Sequence, residues 1–180
     1  MTVTFSPGDV VCVRTTGLAA RLVRFGASIR YLITGGSNVA DLTNHILVVS
    51  HQTDGVWWAI EGRPGGVGWA DLTRYADAAT TITNYAQPKT DEQRAQLLAC
   101  IPQVLGAPYS WTAIMRAVAD DLHIPQMFRT NWNGQGAPGH LICSSLADWM
   151  YYHVGLAAPK PDRLCQPSDW EQFCVSEGWK

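Results

Sequence analysis

Residues 44 to 62, NHILVVSHQTDGVWWAIEG, constrain the fold more than any other stretch. Two runs of β-branched, aliphatic and aromatic residues flank a turn built on Asp54-Gly55, the pattern of an antiparallel hairpin. A three-residue loop, Thr53-Asp54-Gly55, with Gly55 at the left-handed bulge position sets Gln52 opposite Val56 and Leu47 opposite Glu61. His45 and Glu61 then become diagonal neighbours on one face of the sheet. A loop of Asp54-Gly55 alone would turn Glu61 to the other face, because side chains alternate strictly along a strand. The same alternation puts His51, six residues on, on the face of His45 and beside the turn.

Around this hairpin the 180 residues read as α+β, an antiparallel sheet flanked by helices, in a single domain spanning 1–180. PGDVVCVRTT predicts a turn and a short strand, and RPGGVGWADL a further one. GLAARLVRFGASIRYLITGG has Leu18, Leu22, Phe25, Ile29 and Leu32 at helical spacing and ends on Gly35-Gly36. Thr90 and Gln93 have capping-box spacing for a helix running to Gly106, with Leu97, Ile101 and Val104 or Leu105 as its core face. A helix over APYSWTAIMRAVADDL precedes a long loop, HIPQMFRTNWNGQGAPG, and loops of that length often carry function. CSSLADWMYYHVG predicts a helix with Leu146, Met150 and His153 on its buried face. Ser168 and Glu171 predict a cap for the last helix.

Composition removes several function classes. Net charge is −2 with pI near 6.2, so there is no electrostatic footprint for nucleic acid. No stretch approaches the ~20 apolar residues of a transmembrane helix. MTVTFSPGDVVCVRT lacks the basic and apolar regions of a signal peptide. The expectation is cytoplasmic synthesis, with lysis or non-classical secretion as the routes outward. The five cysteines, an odd number with no CxxC, argue against a disulfide framework. PGGVG is not a phosphate loop, since no Gly-Lys-Ser/Thr follows.

Cys143 carries the chemistry. It falls at the first turn of a predicted helix, where unpaired N–H groups and the helix dipole favour the thiolate. The same N–H groups suit an oxyanion. A free cysteine is equally at home as a small buried hydrophobe. A nucleophilic thiolate needs a base, itself oriented by a third group. His153 lies two and a half helical turns from Cys143, too far to touch it. His140 and His123 fall in loop-like stretches. His45 heads an apolar strand whose hairpin partner bears Glu61.

GDVVCV, a helix, NHILVV, WAIEG, PGGV, LGAPYSW and ICSSLADWMYYHVGL, taken in order, resemble the circularly permuted papain-like hydrolases of the NlpC superfamily. The resemblance implies a permuted papain-like fold and a Cys-His-Glu triad, with Cys143 as nucleophile, His45 as general base and Glu61 as the residue that orients it. Asn44 stands where Ser often precedes the His, and Ser145 where Glu often follows the Cys. Tyr109 matches the family's G-x-x-Y element, as packing or pocket wall. Trp57, on the face of Glu61, together with Trp132 and His140, are further candidates to line the substrate site. The implied activity is that of a thiol peptidase or amidase, a cysteine hydrolase acting through a thioacyl intermediate on a small peptide, a peptidoglycan fragment or an acyl amide. No cofactor is implied.

Three alternatives stand beside this. One is an acyl- or lipid-amide hydrolase or acyltransferase on the same fold. Another is a zinc module using His140, Cys143, His153, Cys165 and Cys174, whose spacing fits no usual zinc pattern. The last is a binding protein without catalysis.

Overall fold

A computed structural model of the chain describes residues 4–16, 43–76, 81–87, 89–113, 141–159 and 165–179. The helix expected over 17–36, most of the one expected over 107–122, the following loop, and Trp132, His123 and His140 lie outside the described residues.

The architecture is α+β. Five strands form one antiparallel sheet: β1 (Val10–Arg14), β2 (His45–Thr53), β3 (Val56–Arg63), β4 (Gly66–Asp71) and β5 (Thr81–Tyr85), in the spatial order β4-β3-β2-β1-β5. A 3-10 turn, Leu72–Tyr75, follows β4. The helices are α1 (Asp91–Ala99), the short α2 (Ile101–Val104), α3 (Cys143–His153) and α4 (Pro167–Ser176). Period-two alternation divides the apolar residues between the two faces. Val10, Cys12, Ile46, Val48 and Ile60 face the helices and pack with Leu146, Met150 and Trp170. Val11, Val13, Leu47, Val49 and Ala59 face the other way and are covered by Leu72 and Tyr75.

The hairpin reaches the expected register by another route. Its turn is Asp54-Gly55 alone, with both residues at positive φ (50° and 79°), and Thr53 pairs with Val56. That is the primed two-residue turn, whose twist suits a hairpin. By itself it would turn Glu61 to the helix face. A bulge between Val49 and His51 inserts one residue and restores the pairing Leu47↔Glu61. The bulge also corrects the placement of His51. Past it, His51 pairs with Trp58 and meets Trp69 edge-on at 5.4 Å, on the helix face rather than the face of His45.

The helices depart from expectation in three places. The Thr90–Gln93 capping box forms, but the helix does not run on to Gly106. It stops at Cys100, because Pro102 has no N–H to give to Leu98 and its ring crowds that carbonyl. The last helix is capped two residues earlier than Ser168–Glu171 predicts. It opens at Pro167, and the Asp169 carboxylate accepts the Gln166 N–H at 2.8 Å. His153 is exposed, stacked on Trp149 at 4.9 Å, and not part of the buried face. All five cysteines are buried, and none forms a disulfide.

Candidate active site

His45 begins β2, and the chain that delivers it is pinned on both sides. The Asn44 side chain accepts Thr15 N–H at 3.1 Å and donates to Thr15 O at 2.9 Å. One residue earlier, Thr43 N–H donates to Glu171 of α4 at 3.0 Å. The amide offers an acceptor to the N–H and a donor to the C=O of Thr15, so the departure at Asn44 has a structural use.

Cys143 is the first residue of α3. Ile142 before it is extended, and the Ser145 hydroxyl accepts the Ile142 N–H at 2.9 Å. Ser145 thereby satisfies a helix-start donor that a longer Glu side chain would otherwise take. The turn at Ile142-Cys143 lies directly on β3. A Cβ on Gly62 would stand 3.0 Å from the Ile142 carbonyl carbon and 3.1 Å from Cys143 N. Any other side chain would require the turn to give by a few tenths of an ångström, so Gly62 sets how closely Cys143 approaches the sheet.

The two elements bring the Cys143 thiol and the His45 ring together, close enough that each shifts the other's proton affinity. The other side of the ring is held by Glu61, whose Oε2 lies 2.6 Å from His45 Nε2. With Nε2 held there, Nδ1 is the nitrogen left for the thiol.

Glu61 is almost fully buried, at 1% exposure. A lone carboxylate in such a place would cost several kcal/mol. Four donors offset that cost. Oε2 accepts His45 Nε2 and the Tyr75 hydroxyl, the latter at 2.5 Å. Oε1 accepts Arg63 Nη1 at 3.0 Å and Arg74 Nη1 at 3.3 Å. The Arg63 guanidinium passes over Gly68, the residue paired with Glu61 on β4.

Proton affinities follow from these contacts. Burial pulls His45 down, but Cys143 and Glu61 outweigh it and the ring is pushed well above the usual histidine range. Burial pushes Cys143 up, but His45 and the N–H groups of Ile46 and Ser144 outweigh it and hold the thiol below its usual range. Glu61 feels burial upward, yet His45, Tyr75 and Arg63 hold it below the carboxylate range. Both shifts favour thiolate and imidazolium over thiol and neutral ring.

Tyr109 also reaches the site. Its strand-like segment bridges to Leu141, two residues before Cys143, and its ring stands edge-on to the exposed Trp111 at 5.3 Å. Burial and then the negative charge at Cys143 push its ionisation up, so the phenol keeps its proton. Trp57 is placed elsewhere. It lies four residues from Glu61, about 13 Å along β3, and packs on Phe5 in the second core layer. Among the described residues no group of three or more His, Cys, Asp or Glu side chains could hold a metal ion. No described helix is long and apolar enough to cross a membrane.

Sequence reasoning brings Cys143, His45 and Glu61 together but misses Tyr75, Arg63 and Arg74. Tyr75 belongs to a 3-10 turn with no periodic signal. Arg63 has one, because it follows Glu61 by two residues and so shares its face. The chain matches no protein-family model, and no curated protein matches it.

Proposed function

We propose that this chain is a cysteine hydrolase of the permuted papain-like, NlpC-superfamily kind, cleaving an amide bond, most plainly in a peptidoglycan-type peptide. The observation that carries the reading is the chain of contacts from Cys143 through His45 to a Glu61 already saturated by four donors. A carboxylate so held keeps its charge and its position, which is what an orienting residue must do. The order of β2, β3 and a late nucleophile helix agrees with the permuted arrangement, in which the histidine precedes the cysteine.

The chemistry follows from the poised pair. The Cys143 thiolate attacks the carbonyl carbon, and the first N–H groups of α3 face the oxygen that becomes negative. The C–N bond breaks as the His45 imidazolium gives its proton to the leaving amine. Neutral His45 then takes a proton from water, whose oxygen attacks the thioester. Breaking the C–S bond releases the acid and restores the thiolate.

The test compares the protein with Cys143→Ala on peptidoglycan fragments, acyl amides and lipid esters. Hydrolysis of one class that disappears in the variant supports the reading and identifies the substrate. Equal activity in the two proteins overturns it.

A further inference from the structure

Glu61 is one carboxylate serving two guanidiniums. Among the described residues neither Arg63 nor Arg74 has a second acidic partner. The Cys143–His45 pair is neutral overall whichever atom holds its proton, so among the described residues the cluster keeps one positive charge without an acidic partner. That charge faces solvent, since the Arg63 and Arg74 side chains are 41% and 50% exposed. Each gives Glu61 only Nη1, and a guanidinium has five N–H groups to offer.

The place of the charge is as informative as its sign. The last β2–β3 pair at this end is Leu47↔Glu61. The next residues on that face are His45 on β2 and Arg63 on β3, so Arg63 flanks the histidine at the open end of the ladder. His45 is the group that protonates the leaving amine, and the leaving group must lie on its side of the sulfur.

We propose that the site takes substrates whose leaving group carries a carboxylate, held by the exposed N–H groups of Arg63 and Arg74. The inference rests on the hydrolase reading of Cys143. A carboxylate fits because it brings the single negative charge the cluster lacks and matches the planar fork of a guanidinium.

Two small alkylating agents test this without knowledge of the substrate. Iodoacetate and iodoacetamide react with the same sulfur and differ in whether they carry a carboxylate. The rate of Cys143 modification by each is followed by mass spectrometry in the full-length protein, in Arg63→Gln and in Arg74→Gln. Any change in the nucleophile itself affects both reagents and cancels in their ratio. The iodoacetate-to-iodoacetamide ratio is expected to fall about two- to fivefold in each variant, the range for partly exposed charge pairs. In the unmodified protein, which needs no variant to fold, it falls as salt rises. A ratio unchanged in both variants and insensitive to salt overturns the carboxylate proposal. Failure of Cys143 to react faster than the other cysteines with either reagent overturns the hydrolase reading instead.

Discussion

His45 Nε2 and Glu61 Oε2 stand 2.6 Å apart, from residues 16 positions apart in the chain on adjacent antiparallel strands. The contact depends on a bulge at Ser50 that corrects for a short turn. It fixes one ring nitrogen and leaves Nδ1 as the one available to Cys143. A histidine left free to rotate would spend only part of its time aligned with the sulfur.

Glu61→Gln keeps the shape and removes the charge. The amide no longer stabilises an imidazolium, and its NH2 group opposes the two arginines. Once a substrate is in hand, kcat/KM is expected to fall about 10²- to 10⁴-fold. The folded carboxylate titrates below its unfolded value near 4.3. Its stabilising contribution is therefore complete above that pH and lost as pH falls toward the folded value. Denaturation at pH 7 and pH 3 should show the gap between protein and variant closing in acid. A constant gap contradicts the electrostatic account.

Tyr75→Phe removes one of the two donors on Oε2 and leaves the ring packed beside His45, 6.1 Å away between centroids. A hydrogen bond to a charged group contributes about 1.5–3 kcal/mol. Oε2 then serves His45 alone and holds the imidazolium more strongly. The alkaline limb of the rate profile should move up while kcat falls about tenfold. A fall in rate with an unmoved pH profile would reduce Tyr75 to packing.

Gly62→Ala introduces a Cβ about as close as 3.0 Å to backbone that cannot swing aside. Overpacking of this kind costs about 1–3 kcal/mol. The Ile142-Cys143 turn must give by a few tenths of an ångström, and kcat/KM should drop about threefold, scaled from the ~10²-fold cost of a full ångström of misplacement. Unchanged alkylation and turnover would show that the height of the turn does not matter.

Far from the site, the Lys89 side chain is buried, its Nζ 3.9 Å from Asp9 and over the ring of Tyr151 at 5.2 Å. Burial, only partly opposed by Asp9, brings it down to about 8. Between that value and the unfolded ~10.4, the unfolded chain holds a proton that the folded one has released. The burden of charging Lys89 is therefore complete below pH 8 and disappears toward pH 10. Relative to Lys89→Met, the protein should gain stability over that interval, by about 3 kcal/mol at most. Urea titrations at pH 7.5 and pH 10 measure the difference, and equal gaps at both would contradict the burial argument.

The parts of this site legible in the sequence are those carried by local pattern. Alternation marks β2 and β3, and an apolar pair before CSSL marks the start of α3. The Leu47↔Glu61 pairing follows from a three-residue loop on paper and from a two-residue turn plus a bulge in the molecule. One inserted residue has the same effect on the register wherever it enters, which is why the pairing is right and the face of His51 is not. Tyr75 and Arg74 stay hidden because a short 3-10 turn has no period to detect, and their contact with Glu61 depends on how β4 ends. Trp57 shares the face of Glu61, but face alone does not give distance along the strand.

The central claim is that Cys143 and His45 form a thiolate–imidazolium pair. The rate of Cys143 alkylation by iodoacetamide, followed by peptide mass spectrometry from pH 5 to pH 9 in the protein and in His45→Ala, tests it most directly. The pair predicts a rate already high below pH 7 and nearly flat to pH 8, with Cys143 modified ahead of Cys12, Cys100, Cys165 and Cys174. It also predicts that His45→Ala returns the profile to that of an ordinary thiol, rising about tenfold per unit toward ~8.5. The same rising profile in both proteins, or another cysteine modified first, would contradict it.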